Sequence, residues 1–272
     1  MNKPIISAFV PVYNESSRIK YAIQSLKWCD EIFVLDKSSE DNTVELAKKY
    51  GATSVKVIPN TSSYDVNEFL YLQELKGEWV VIFTASDIID RSLAEQIVKI
   101  VNTAPEDVGS IDVPLKRYIH GVEGKKSPWY SDKRTRFLFR KDNIRTNSND
   151  PHTAISLINK KSISIPSSYG YLYHLTHVDM DIMMERHIRY WRAEGENYQN
   201  DSLRPAFQSI LGAIKITIKR NTFLGGWDYV ALAIAYIGYY MMSFLYKWEH
   251  KRGTATILYS NLRENNYLEW NS

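Results

Sequence analysis

The chain is 272 residues long and has a single cysteine, Cys29. No internal disulfide can form, and that usage fits a reducing compartment. Its charges nearly cancel, with 34 Lys and Arg against 31 Asp and Glu, a formal net charge of +3. That excess is too small to argue for a nucleic-acid partner. No internal repeat or low-complexity tract occurs, and Met1-Asn2-Lys3-Pro4 leads into the first apolar run without a signal-peptide pattern. The first loop lacks Gly-x-Gly-x-x-Gly, so its backbone is not cleared to approach a pyrophosphate as dinucleotide folds do. What remains is ordinary globular material, 44% hydrophobic and 24% charged. It suffices to bury a full core as one large domain or as a domain with an appendage.

The first hundred residues alternate strand and helix signals. Ile5, Ile6, Ala8 and Phe9 form a strand-like run ahead of Val10-Pro11-Val12-Tyr13-Asn14-Glu15. Ile19, Ala22, Ile23 and Leu26 then follow the spacing of an amphipathic helix that begins near Ser16. Glu31 to Leu35 is a short buried strand ending at Asp36. Asp41 or Asn42 caps a second helix, and Gly51 is placed to end it. Thr53 to Ile58 is a third strand. Asp65 and Glu68 form a capping-box arrangement for a third helix, Trp79 to Phe83 is a fourth strand, and Ser92 caps a helix reaching about Asn102. This spacing predicts parallel pairing with right-handed crossovers.

Residues 102–107 break the rhythm. Short strands follow at Ser110 to Ile119, Arg134 to Arg140 and Ser162 to Pro166, an antiparallel layer added to the parallel sheet, and Asp179 to Trp191 is helical again. Tyr229 to Tyr246 holds no charged residue, near the length of a spanning helix, but its Tyr, Gly and small residues keep it only moderately apolar. With Lys215, Lys219 and Arg220 ahead of it, an interfacial helix is the favoured reading over a buried one or a true span.

Three loops fall at the C-terminal ends of successive strands: Pro11 to Glu15, Asp36 to Thr43, and Thr84 to Asp87. In a parallel sheet those ends line one crevice, so Glu15, Asp36 and Asp87 should approach one another. Each acid alone is more simply a cap or a solvated loop residue. Three at equivalent topological positions point to a site, where a divalent metal or the N–H donors of a base would relieve their repulsion. His174 is balanced between a metal ligand and packing among Tyr169, Tyr171 and Tyr173. Arg134, Arg136 and Arg140 alternate, so they are expected on one strand face, either pairing with phosphates, the favoured reading, or simply solvated.

Val10 to Glu15 followed by Leu35-Asp36-Lys37-Ser38-Ser39-Glu40-Asp41-Asn42-Thr43 resembles the paired signature of family 2 glycosyltransferases. Gly77-Glu78-Trp79-Val80-Val81-Ile82-Phe83 resembles the strand that runs into that family's acidic motif. Arg134 to Arg140, His152, Leu172-Tyr173-His174 and Phe223-Leu224-Gly225-Gly226-Trp227 are similar to the subgroup of glucosyltransferases that build lipopolysaccharide inner cores.

The resemblance implies a GT-A fold: an α/β, Rossmann-like, mainly parallel sheet with helices on both faces, the added antiparallel layer and a C-terminal helical tail. It divides the chain into a nucleotide-sugar half (1–102), an acceptor-side half of the same domain (103–200) and a hydrophobic tail (201–272). Pro11, Tyr13, Glu15, Asp36, Asn67, Ser86, Asp87, Arg136 and Arg140 would bind the donor, with Asp36 accepting a hydrogen bond from the base, which favours uridine. Asp87 and His174 would hold a divalent Mg or Mn. The chain departs from the pattern at Thr84-Ala85-Ser86-Asp87, where one carboxylate survives, so the metal is expected to be weakly held or dispensable. Thr153 replaces the subgroup's expected acid, leaving Asp150 and His152 as candidate catalytic residues.

The activity implied is inverting transfer of a sugar from a nucleotide-linked donor, UDP-linked by preference, to a hydroxyl of a bacterial cell-surface glycan. The acceptor would be a glycan or a lipid-linked glycan, and transfer would occur on the cytoplasmic side of the membrane, with the tail meeting lipid, a second subunit or the protein's own core. The alternative is a weakened homologue that binds nucleotide or glycan without turnover. A nucleotidyltransferase fits less well, because Pro11 to Glu15 offers no Gly- and Arg-rich loop for a triphosphate.

Overall fold

The computed structural model describes residues 5–60, 66–146, 155–158 and 161–270. The chain forms two compact units, Met1–Lys125 with Trp129–Met180, and Lys126–Pro128 with Asp181–Ser272.

The first unit is built on a sheet that begins with β1 (Ile6–Val12), followed by α1 (Ile19–Ser25), β2 (Glu31–Asp36), α2 (Thr43–Tyr50) and β3 (Ser54–Val57). A 3-10 segment, Val66–Glu74, leads into β4 (Trp79–Ile82), β5 (Asp87–Ile89) and α3 (Arg91–Thr103). The long strand β6 (Val108–Ile119) follows, then β7 (Lys133–Arg140), β8 (Ile144–Thr146), β9 (Ile155–Leu157), β10 (Lys161–Ser164) and β11 (Leu172–Thr176). The path across the sheet is β3-β2-β1-β4-β7-β6-β11-β5, with β10 also on β6, while β8 and β9 pair separately.

β1 is almost wholly buried, which is why its apolar run is continuous: a central parallel strand is covered on both faces. One face carries Ile6, Ala8, Val10 and Val12 against Ile19 and Ile23 of α1, Ala47 of α2, and Leu93 and Ile97 of α3. The other carries Phe9, Phe33, Leu35 and Val80 against Leu72 of the 3-10 segment and Leu75 just beyond it. That segment stands where the third helix is expected; Asp65 and the Glu68 side chain lie outside the described residues. Helix α2 ends as anticipated, with Gly51 left-handed at φ 117°. Helix α3 is preceded at its N-cap by Asp90, whereas the Ser92 hydroxyl donates to the Tyr169 carbonyl at 2.7 Å.

Gly77 explains itself by close approach. Its N–H donates to Ser7 Oγ at 2.8 Å, and Ser7 Oγ in turn donates to the Glu31 carboxylate. A Cβ at Gly77 would meet Ser7 Oγ at 2.5 Å and Ser7 N at 2.6 Å. The strands beyond β4 are mixed, not purely antiparallel. β7 runs against β4 and β6, β10 and β11 run along β6, and β5 runs against β11. Parallel pairing of β11 with β6 has a local consequence: His174 lies opposite Arg117 on one side and Asp87 on the other.

The second unit is helical: α4 (Met180–Glu196), α5 (Arg204–Lys219), α6 (Trp227–Arg252) and α7 (Thr256–Trp270). α4 and α6 lock around the Glu194 carboxylate, which accepts from Tyr239 Oη at 2.6 Å, Lys247 Nζ at 2.9 Å and the Ser243 hydroxyl. Gly195 makes room for α6, since a Cβ there would stand 2.9 Å from the Tyr246 carbonyl oxygen. α6 is long and apolar enough to cross a membrane by length and composition. Exposed Phe207, Leu211, Ile214 and Ile218 recur at helical spacing on α5, as do Ile234, Met241, Leu245 and Trp248 on α6.

Candidate functional site

The sheet register brings the three loops to one rim. Val12 pairs with Asp36 across β1 and β2, and Phe9 pairs with Ile82 across β1 and β4, so all three strands end on the same side. Glu15, Asp36 and Asp87, far apart in sequence, therefore leave the sheet at one edge. This is where an open parallel sheet binds its ligand.

The first two loops are laced by side chains acting on backbone. Asn14 N donates to Ser39 Oγ at 2.9 Å, and Glu40 N donates to Asn14 Oδ1 at 2.9 Å. Glu15 N reaches Thr43 Oγ1 at 2.7 Å, and Ser16 N reaches Asp41 Oδ2 at 3.0 Å. Asn14 and Ser38 sit at φ 51° and 56°, a left-handed conformation that short polar residues tolerate. The lacing fixes Pro11 and Tyr13, both half-buried, above the end of β1. The Asp36 oxygens accept from Ser39 N at 2.9 Å and Ser39 Oγ at 2.5 Å. A carboxylate has about four acceptor positions, so Asp36 keeps capacity for a further donor. Glu15 is paired with Arg18 through both guanidinium Nε and Nη2, whereas the partners of Asp36 carry no charge.

Asp87 is the most organised group at the rim. It is fully buried. Its Oδ2 accepts from Thr84 N and Thr84 Oγ1, both at 2.9 Å, and from Arg134 Nη1 at 3.1 Å. Its Oδ1 lies 2.6 Å from His174 Nδ1. Burial pushes the Asp87 carboxyl up, but Arg134, His174 and the Thr84 N–H outweigh it and hold the group at about 2. Asp87 stays ionised. Ser86, beside it, is buried with a hydroxyl where an acid would strengthen cation binding.

His174 stands on the Asp87 face, while Tyr171 and Tyr173 stand on the other, where Lys116 Nζ lies 4.3 Å from the Tyr171 ring centre. Alternation along β6 likewise sends Arg117 to the Asp87 face and Asp112, Pro114 and Lys116 to the opposite one, where a cavity of about 330 Å³ opens.

Two of the expected donor residues are not at this group. Arg136 does not share the face of Arg134, because β7 bulges between them: Val113 pairs with Arg134 but Ile111 pairs with Leu138, and Arg136 turns left-handed at φ 54°. Arg136 N is spent on Asp112 Oδ1 at 2.8 Å. Arg140 faces Trp79 at the opposite end of β4, with its guanidinium 4.6 Å from that ring and Nε donating to the Val108 carbonyl. Asn67 lies in the 3-10 segment and its side chain is outside the described residues, as are Asp150 and His152.

Asp87 and His174 are bonded to each other at 2.6 Å, and the Asp87 oxygens also accept from Thr84 and Arg134, so the two would hold a divalent cation only by giving up part of that set. No group of three or more His, Cys, Asp or Glu that could hold a metal occurs among the described residues. One carboxylate and one imidazole would leave such a cation to take its remaining ligands from phosphates and water, and the imidazole suits Mn better than Mg. Arg117 was not flagged in the sequence. Its signal lies in cross-strand register, which no local pattern carries.

The glycosyl transferase family 2 model matches residues 7–164, a stretch that contains the three rim loops. An uncharacterized glycosyltransferase of Rickettsia conorii is 34% identical over 112 residues, 39% of each chain. The SPbeta prophage-derived glycosyltransferase SunS of Bacillus subtilis is 32% identical over 141 residues, 50% of this chain and 31% of its own. The lipopolysaccharide core biosynthesis glycosyltransferase LpsC of Rhizobium meliloti is 23% identical over 225 residues, 81% of this chain and 82% of its own. The chain thus spans 39% and 31% of the lengths of the first two relatives. With a family match over more than half its length, covering the rim that the fold assembles, the chain belongs to glycosyl transferase family 2.

Proposed function

We propose that the chain is an inverting glycosyltransferase that moves a hexose from a UDP-linked donor to a hydroxyl of a cell-surface glycan. The observation that carries this reading is the rim itself: an acid with spare acceptor capacity at Asp36 and an ionised, cation-paired acid at Asp87 leave one sheet edge together. Asp36 accepts the imide N–H of uracil, which cytosine lacks. Pro11 and Tyr13 present an apolar edge to the base, and Glu15 with Arg18 borders the ribose. Arg134, held by Asp87 at 3.1 Å, faces the diphosphate.

In the transfer, a base takes the proton of the acceptor hydroxyl and that oxygen bonds to the anomeric carbon from the side opposite the nucleotide. The bond from that carbon to the phosphate oxygen breaks, and its electron pair leaves with UDP, so configuration inverts. Asp150 or His152 is the proposed base. His174 and Asp87 would hold Mg or Mn, which when bound offsets charge on the leaving diphosphate. With one acid in residues 84–87, that cation would be held mainly by the diphosphate.

The acceptor is proposed to be lipid-linked, as in lipopolysaccharide core assembly, with the second unit resting on the cytoplasmic face of the membrane. The exposed apolar stripes of α5 and α6 support this, as do Trp227 and Trp248 near the ends of α6 and Lys215, Lys219, Lys251 and Arg252 around them. Co-sedimentation with phosphatidylglycerol vesicles is expected; a soluble dimer that ignores vesicles would assign the stripes to self-association.

A panel of UDP-, GDP-, CDP- and dTDP-sugars tests the main reading. Thermal stabilisation and turnover restricted to UDP-sugars, with the product anomer inverted by NMR, is the expected result. Thr84 and Ser86 favour one rival, a homologue that binds without turnover; stabilisation by UDP with no hydrolysis or transfer, with or without Mn²⁺, would establish it.

A further inference from the structure

One carboxylate at the rim is surrounded by more positive charge than it can balance. Asp87 has Arg134 and His174 in direct contact, and Arg117 stands on the same face one strand away, opposite His174. Arg134 is directed to that face too, because it pairs with Val113, which alternates with Arg117 on the same side of β6.

Arg117 is poorly satisfied where it sits. Its Nε is buried with no partner, and among the described residues its hydrogen bond is Nη1 to the Trp129 carbonyl at 3.4 Å. Burial, and then the neighbouring Arg134, push its proton affinity down, and Asp87 only partly restores it. Two guanidiniums turned toward one carboxylate are unfavourable until an anion with more than one charge joins them. A guanidinium fork matches the paired oxygens of a phosphoryl group, which a lysine in the same place would not.

Resting on the UDP-sugar reading, we infer that Arg117 and Arg134 form a two-armed clamp for the donor's diphosphate. The clamp stabilises the charge that gathers on the leaving phosphate oxygen as its bond to the anomeric carbon breaks. It spans two strands, β6 and β7, so it is part of the rigid sheet and is preorganised before the donor arrives. Asp87 anchors Arg134 on this face. Uridine, which has no phosphate, should not engage the clamp.

The test is calorimetric titration of wild type and Arg117→Met with UDP, inorganic pyrophosphate and uridine, together with melting temperatures without ligand. Wild type should bind UDP and pyrophosphate. Arg117→Met should lose at least tenfold affinity for both, keep its affinity for uridine, and melt no lower than wild type, because an uncompensated buried charge has been removed. Arg117→Lys should recover less than half of the lost affinity on a logarithmic scale. Binding of pyrophosphate but not UDP by wild type, lost in the variant, would keep the clamp and reject the uridine reading. Equal affinity of Arg117→Met and wild type for UDP and pyrophosphate would overturn the clamp. So would a lowered melting temperature with uridine and UDP lost alike, which would make Arg117 a structural residue. Failure of wild type to bind either phosphate ligand would overturn both proposals.

Discussion

Replacing Asp87 by Asn removes a charge and little else, because the amide keeps the shape and can still accept from Thr84 N. The carboxyl is held at about 2 instead of its ordinary 3.8, which at about 1.4 kcal/mol per pH unit corresponds to about 2.5 kcal/mol of native-state stabilisation. Breaking a buried ion pair from one side commonly costs about 3–5 kcal/mol. The smaller figure is the better guide, because the Arg134 and His174 side chains are 28% and 20% exposed and water can take over part of their solvation. Urea denaturation at pH 7 should therefore show Asp87→Asn less stable by about 2.5 kcal/mol. The acid limb supplies a second signature. The folded-state value lies below the unfolded one, so the stabilisation is fully present above about pH 4 and disappears as pH falls toward 2. Wild type should lose stability over that window, and the variant should lose less. Equal stability at pH 7, or parallel acid limbs in the two proteins, would refute this account of Asp87.

Asp36→Ala should abolish the thermal shift produced by UDP while leaving the unliganded melting temperature within a few degrees, because Ser39 remains solvated at the loop; an unchanged shift would misplace the base. Gly77→Ala should destabilise by at least about 2 kcal/mol in chemical denaturation, since its Cβ would collide with Ser7 backbone and side chain; a change under about 0.5 kcal/mol would mean the turn yields freely. Leu211→Glu with Ile218→Glu should cut retention on phosphatidylglycerol vesicles at least fivefold without lowering stability, because both residues are over half exposed at 52% and 61%; undiminished retention would remove α5 from the membrane contact.

The first half of the fold was legible because its signals are local. Buried strands such as β1 and β2 are continuous apolar runs, and Gly51 marks the end of α2 by the only backbone conformation that suits it there. Loops at strand ends carry the acids, so the sequence alone assigns Glu15, Asp36 and Asp87 to one rim. What stayed hidden depends on pairing between distant strands. Nothing near Lys116-Arg117-Tyr118 distinguishes the middle residue. It becomes informative only because β11 runs parallel to β6 and sets His174 between Arg117 and Asp87. The arginines of β7 fail as a group for the converse reason: a bulge interrupts the alternation that the spacing assumes and turns Arg136 away, while Arg140 stands at the far end of the strand opposite Trp79. The apolar stretch of α6 was visible as composition, but that α5 also leaves Phe207, Leu211 and Ile218 uncovered is a fact of packing.

Hydrogen–deuterium exchange with and without UDP examines the rim as a unit. Joint protection of residues 11–18, 36–43 and 84–89, together with the His174 strand, is the expected outcome. Protection of none of these segments at saturating UDP, or of a different surface alone, would contradict the assignment of the three loops to one nucleotide site.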